Sequence, residues 1–265
     1  MRNVKEILDY LEQKAPLSWQ ESYDNAGFLV GDAKMPVERV LVALDVTVPV
    51  VQEAADIGAS LIVSHHPVVF HPLRSVTGGD GSSKAVAALI RNEISAICMH
   101  TNLDAAPGGV NDVLAAALGL GQTEVLLPMG KRETDGAHYG IGRIGELAAP
   151  LPFLTFGEGV KRALQAGGLR FYDAGKTVFR VAVGGGSCGS LLPEVIARGC
   201  DTFVTGDVKY DVFLEAAAMG VNVIDAGHYP TEQLVCETLA SWLEEAFPGL
   251  EAVVSGCHRD VVGFL

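Results

Sequence analysis

Short apolar runs and amphipathic stretches take turns along most of this chain, and that alternation constrains its fold more than any other feature. Runs at Arg39 to Leu44, Ser60 to Ser64 and Ile94 to Met99 read as strands. The stretches Val4 to Lys14, Pro49 to Ile57, Lys84 to Asn92 and Val110 to Leu118 read as helices. Strands joined by crossover helices build a mainly parallel sheet covered on both faces. From Leu126 to Thr177 the pattern loosens, with Gly140 to Gly145 and Phe171 to Asp173 reading as strands around a helix from Phe156 to Gln165. Alternation resumes at Val178.

The resumed part repeats the first. Val40-Leu41-Val42 recurs 141 positions on as Val181-Ala182-Val183, and the block from Gly58 to Ser64 recurs at the same displacement from Gly199 to Thr205. The chain therefore reads as α/β, with two similar lobes (residues 1–125 and 126–265) built on mainly parallel or mixed sheets. Ligands in open α/β sheets gather at the carboxyl ends of strands. The expected site is a dinuclear metal centre in the cleft between the lobes.

What the strand ends carry supports that expectation. His65-His66 follows the strand ending at Ser64. Adjacent imidazoles on an extended strand point to opposite sides, so one ion takes both only if the backbone bends, and Pro67, which biases His66 toward an extended conformation, favours two neighbouring ions taking one each. His100 and Asp104 follow the strand Ile94 to Met99, and His228 and Glu232 follow the run Val221 to Ile224. Pro230 suits a first helical position and opens a helix from Thr231 to Glu245, which sets His228 and Glu232 four residues apart over its first turn. His65, His66, Asp104, His228 and Glu232 form a mixed imidazole and carboxylate set suited to Zn, Fe, Mn, Ni or Co. Five side chains exceed the three protein ligands usual at a single catalytic zinc, so two divalent ions per chain is the simpler count. Asp104 is then the candidate bridging carboxylate. His100 reads as an orienting group, as an acid and base near the site, or as a purely structural residue.

Composition limits the partners. The chain has 265 residues, 49% of them hydrophobic, with 19 Lys and Arg against 32 Asp and Glu, for a net charge of −13. That charge opposes long-range attraction to nucleic acid or to an anionic membrane. The longest apolar runs are strand-sized and the start leads into an amphipathic helix, which together read as a cytoplasmic protein. Five cysteines without a C-x-x-C spacing indicate buried thiols rather than a disulfide framework.

Five strings occur in order: Asp24-Asn25-Ala26-Gly27; Ser64-His65-His66-Pro67; His100-Thr101-Asn102-Leu103-Asp104 with Gly108-Gly109-Val110-Asn111-Asp112; Thr205-Gly206-Asp207; and Gly227-His228-Tyr229-Pro230-Thr231-Glu232. In these the chain resembles the family called GTP cyclohydrolase 1 type 2, or Nif-three-like, over nearly its whole length. The resemblance implies two α/β lobes, a dinuclear metal centre on the same five residues, and a homohexamer arranged as a toroid. It also implies a nucleotide substrate, with ring opening of GTP and release of formate as the named activity. Metal delivery or a regulatory scaffold without turnover is the alternative that the same ligands allow. Asp211 stands where relatives often carry His, and the inserted domain of longer members is absent from this sequence.

Other residues carry open readings. Asp207, like Asp45, ends a strand in one of the repeats and acts as a base, holds a histidine or caps the backbone. The loop from Gly184 to Ser190 is either an anion cradle or a tight turn, with Cys188 within it. His71 and Arg74 follow the His-His pair closely enough to meet substrate or to sit on a surface loop, while His138 and His258 have no partner visible in the sequence.

Overall fold

A computed structural model describes residues 2–265. The chain forms two compact units: one comprises the chain up to Ala106 together with Val235–Arg259, and the other Pro107–Leu234 together with Asp260–Leu265. The fold is mixed α/β, with parallel and antiparallel pairing. Among the described residues no helix is long and apolar enough to cross a membrane.

In the first unit a five-stranded sheet runs in the order Glu251–Val254, Arg39–Ala43, Leu61–Ser64, Ser95–Cys98, Gly27–Val30. The first four are parallel and the last is antiparallel to its neighbour. Every residue of Leu61–Ser64 and Ser95–Cys98 is buried, which explains why both read as unbroken apolar runs. Helices Val48–Asp56 and Gly81–Arg91 pack Val50, Val51, Ala54, Val86 and Leu89 against Leu41, Ile62 and Ala96 of the sheet. The helix expected from Lys84 begins earlier, at Gly81, because the Asp80 side chain accepts the Ser83 N–H and caps it.

The second unit has a six-stranded sheet in the order Gly121–Lys131, His138–Leu151, Val178–Val183, Thr202–Thr205, Asn222–Asp225, Arg170–Tyr172. Its three inner strands from Val178–Val183 onward are parallel and the flanking pairs antiparallel. Helix Phe153–Ala163 buries Phe156 and Val160 against Val181, Val204 and Ile224.

The repeat is structural as well as sequential. Val40 pairs with Leu61 in one sheet, and Val181 with Thr202 in the other, each in a parallel ladder. Gly58 and Gly199 precede the second strand with φ of 72° and 68°, a region that glycine enters without steric cost. In both sheets the third parallel strand feeds a five-residue helix, Thr101–Ala105 or His228–Glu232.

Two expectations need correction. The division at residue 125 falls in the wrong place: helix Val110–Ala117 packs Leu114 and Ala115 into the second core, while Val235–Ala246 and Glu251–Val254 belong to the first unit. Alternation identifies elements but does not say which sheet each one joins. The helix read from Thr231 to Glu245 is two, His228–Glu232 and Val235–Ala246, with the change of unit falling between them.

Candidate metal centre

The end of strand Leu61–Ser64 places two imidazoles together. The His65 and His66 N–H groups extend the ladder, donating to Ala43 O and Leu44 O at 3.3 and 2.8 Å. The chain then bends, Ser64 Oγ donates to His66 O at 2.8 Å, and the two rings lie with centroids 5.0 Å apart. The backbone thus takes the bent alternative, which brings both rings to one side.

His100 completes a triangle with them, its ring centroid 5.3 Å from His65 and 5.7 Å from His66. One ligand atom from each of the three lies within 4.8 Å of the others, so the cluster could hold a metal ion. Each ring is fixed through Nδ1: His65 to Met99 O at 2.8 Å, His66 to Asp45 Oδ1 at 2.8 Å, and His100 to Asp24 Oδ1 at 2.6 Å. A carbonyl or carboxylate oxygen only accepts, so each Nδ1 carries a proton, which leaves Nε2 as the nitrogen that a neutral ring offers to an ion. Asp104 joins from helix Thr101–Ala105, with Oδ1 3.6 Å from His65 Nε2.

The supporting carboxylates are strongly acidic. Burial raises the Asp24 carboxyl, but hydrogen bonds from His100 and Thr101 and the charge of His100 outweigh it and bring it to about 2. Burial likewise raises Asp45, and hydrogen bonds from His258 and His66 hold it well below the usual carboxylate range. His258, unassigned in the sequence, lies with Nε2 3.0 Å from Asp45 Oδ2. Cys98 is structural: its thiol donates to His65 O at 2.9 Å, and burial, with the charge of Asp24, pushes it well above the usual thiol range.

The second unit builds a smaller set. His228 and Glu232 are the first and last residues of their helix, and the i,i+4 spacing brings His228 Nε2 3.0 Å from Glu232 Oε2. Asp207 Oδ2 accepts from His228 Nδ1 at 2.7 Å, so Asp207 holds this ring as Asp45 holds His66. The glycine loop fits around the pair. A Cβ on Gly186, whose φ is 63°, would lie 2.1 Å from Glu232 Oε1 and 3.1 Å from His228 Nε2. Several of its N–H groups are used internally: Gly185 to Asn111 Oδ1 at 2.9 Å, Gly186 to Thr231 Oγ1 at 3.0 Å, and Cys188 to Thr205 Oγ1 at 3.1 Å. At Gly186 the loop is a tight turn that makes room for a carboxylate.

The remaining candidates divide. Asp112 binds Arg143 through Nε at 2.6 Å and Nη2 at 3.0 Å, and takes the Gly108 N–H at 2.7 Å, so the Gly108 to Asp112 string braces the second unit. His71 is exposed beside Phe70, Arg74 and His138 are exposed, and Asp211 lies in the first turn of helix Tyr210–Met219. Asp24 was missed as a functional residue because the quoted Asp24 to Gly27 string gives no sign of a contact with His100.

Comparison with known proteins identifies the family of this chain. A family model described as Duf34/NIF3 (NGG1p interacting factor 3) matches residues 2–260. A protein of Clostridium perfringens named GTP cyclohydrolase 1 type 2 homolog is 31% identical over 99% of this chain and 99% of its own. One of the same name from Streptomyces coelicolor is 37% identical over 92% of this chain and 87% of its own. The solved structure of a Bacillus cereus protein related to NIF3 superposes with a TM-score of 0.92 at 26% identity, covering 100% of this chain and 99% of the other.

Proposed function

This chain belongs to the Duf34/NIF3 family, and from that membership we propose a metal-dependent hydrolase that acts on a nucleotide through a dinuclear centre. The observation that carries the proposal is that three imidazoles are each held at Nδ1 by an oxygen and together form one small cluster that could hold a metal ion. Orienting partners of this kind are typical of histidines that ligate metals. His65, His66 and Asp104 from the first unit, with His228 and Glu232 from the second, are the proposed ligands of two divalent ions. Their mixed nitrogen and oxygen chemistry fits Zn, Fe, Mn, Ni or Co. Ions held by such a set supply Lewis acidity and a hydrolytic water at neutral pH.

The protein's own groups have separate tasks in this reading. His100, backed by Asp24, accepts and returns a proton at Nε2. Asp207 keeps the His228 ring in its ligating tautomer. Phe70 lies edge-on to His100 at 5.9 Å and packs against Tyr23 at 6.5 Å, and both side chains are exposed. They offer a planar base a face to stack on. GTP is the first substrate to test, because the relatives carry that name.

The test joins metal content to product chemistry. Elemental analysis of loaded protein is expected to give about two ions per chain, and one or none overturns the dinuclear reading. Turnover of GTP should vanish on chelation, return with added metal, and fall in Asp104→Asn protein that still loads metal. Formate release identifies ring opening, and phosphate release identifies phosphoester hydrolysis. If a nucleotide screen yields neither, metal delivery replaces hydrolysis as the account of the site.

A further inference from the structure

The three imidazoles of the first unit are not held equally well by what surrounds them. His65 leans on a backbone carbonyl, which does not rotate. His100 leans on Asp24, whose side chain is fully buried and whose second oxygen takes the Thr101 N–H at 3.0 Å and its hydroxyl. His66 leans on Asp45, whose side chain is 40% exposed. An open carboxylate turns freely and trades its hydrogen bond for water unless its second oxygen is also held. That hold comes from the C-terminal segment: His258 Nε2 lies 3.0 Å from Asp45 Oδ2, with the His258 side chain 11% exposed.

The segment is itself tied down to deliver this contact. After strand Glu251–Val254, the Ser255 N–H continues the ladder to Val42 O at 2.8 Å. Ser255 Oγ donates to Glu53 Oε2, and the Gly256 N–H donates to Glu53 Oε1 at 2.8 Å. The His258 N–H then returns to Ser255 Oγ at 3.2 Å, closing a turn that aims its ring at Asp45.

We propose that His258 is a positioning residue of the metal site, fixing the Asp45 carboxylate so that Asp45 in turn holds His66 with Nε2 presented for ligation. The inference rests on the reading of His66 as a ligand. One carboxylate spans two imidazoles, taking one hydrogen bond on each oxygen, and the far histidine does for Asp45 what Thr101 does for Asp24. The turn from Ser255 to His258 thereby becomes part of the site without touching the ion.

The test uses the full-length protein and Co²⁺ as the probe, titrated while the visible absorption of the bound ion is recorded. His258→Phe fills the space without donating and is expected to weaken Co²⁺ binding about tenfold, as loss of partners beyond the ligands commonly does. It should also alter the Co²⁺ spectrum. His258→Gln keeps a side-chain N–H and is expected to stay within about threefold of the parent. Glu53→Gln, which loosens the segment and leaves His258 intact, should fall between them. Thermal melting of the metal-free proteins supplies the control, since a structural role would lower melting and leave the affinity of the folded fraction unchanged. Equal affinity and spectrum in His258→Phe and parent overturn the proposal. If His66→Ala binds Co²⁺ with the parent's affinity and spectrum, the ligand reading itself fails and the inference falls with it.

Discussion

Asp24 shows how much of a site's chemistry resides in residues that no motif marks as chemical. Its buried carboxylate holds both the His100 ring and the first turn of the helix that carries Asp104. Because its carboxyl is depressed from 3.8 to about 2, it stabilises the fold fully above the ordinary value, and that contribution is lost as pH falls from there through about 2. A shift of this size is worth about 2 kcal/mol. Asp24→Asn should therefore be less stable than the parent by about that amount near neutral pH, with the gap closing toward about pH 2. Denaturant unfolding at several pH values measures it, and a gap independent of pH rejects the linkage. The ligand candidates at the strand ends were legible because His and carboxylate side chains are costly to place there without a task. Asp45 and Asp207 were visible as strand-end carboxylates, but only geometry assigns them to His66 and His228. His258 and Asp24 act across long stretches of chain, and sequence spacing carries no record of that. Gly186 was legible as a turn, while the carboxylate it leaves room for was not.

At the scale of elements, hydrophobic periodicity located the helices and inner strands, since burial on both faces leaves short runs without charged residues. It underread the pair Gly121–Lys131 and His138–Leu151, which are long, glycine-bearing and partly exposed. A Cβ at Gly140 would meet Leu127 O at 2.1 Å, so the close approach of these strands, rather than apolar alternation, shapes that sequence. The pair is locked to helix Val110–Ala117 by Arg143, a buried guanidinium bound to Asp112 and to the Gly140 and Gly142 carbonyls at 2.8 Å each. Removing the carboxylate leaves that charge without its counterion, and breaking such a pair costs about 3 kcal/mol. Asp112→Ala should lower stability by about that amount in denaturant unfolding while leaving the metal affinity of the folded protein unchanged. A loss of metal affinity with stability intact would move Asp112 from bracing to ligation.

For the whole molecule, the repeat explains why one chain offers two donor sets: equivalent sheet registers place strand ends in equivalent positions, and each copy has filled them differently. His66 in the first copy occupies the place of Asp207 in the second, so a ligand candidate in one is the support of a ligand candidate in the other. The exposed surface points to a further level of assembly. Among the described residues Ile90, Leu154, Phe171, Tyr210 and Leu214 are each more than half exposed, on a chain whose mean hydropathy is +0.29. With the family resemblance, we propose a homohexamer, in which closed symmetry would cover such side chains alike on every copy. Sedimentation velocity at micromolar protein should give a mass near that of about six chains, unchanged by chelation if apolar burial rather than metal holds the subunits together. A stable monomer would refute the assembly, and a hexamer that dissociates on chelation would transfer its cohesion from those apolar residues to the ions.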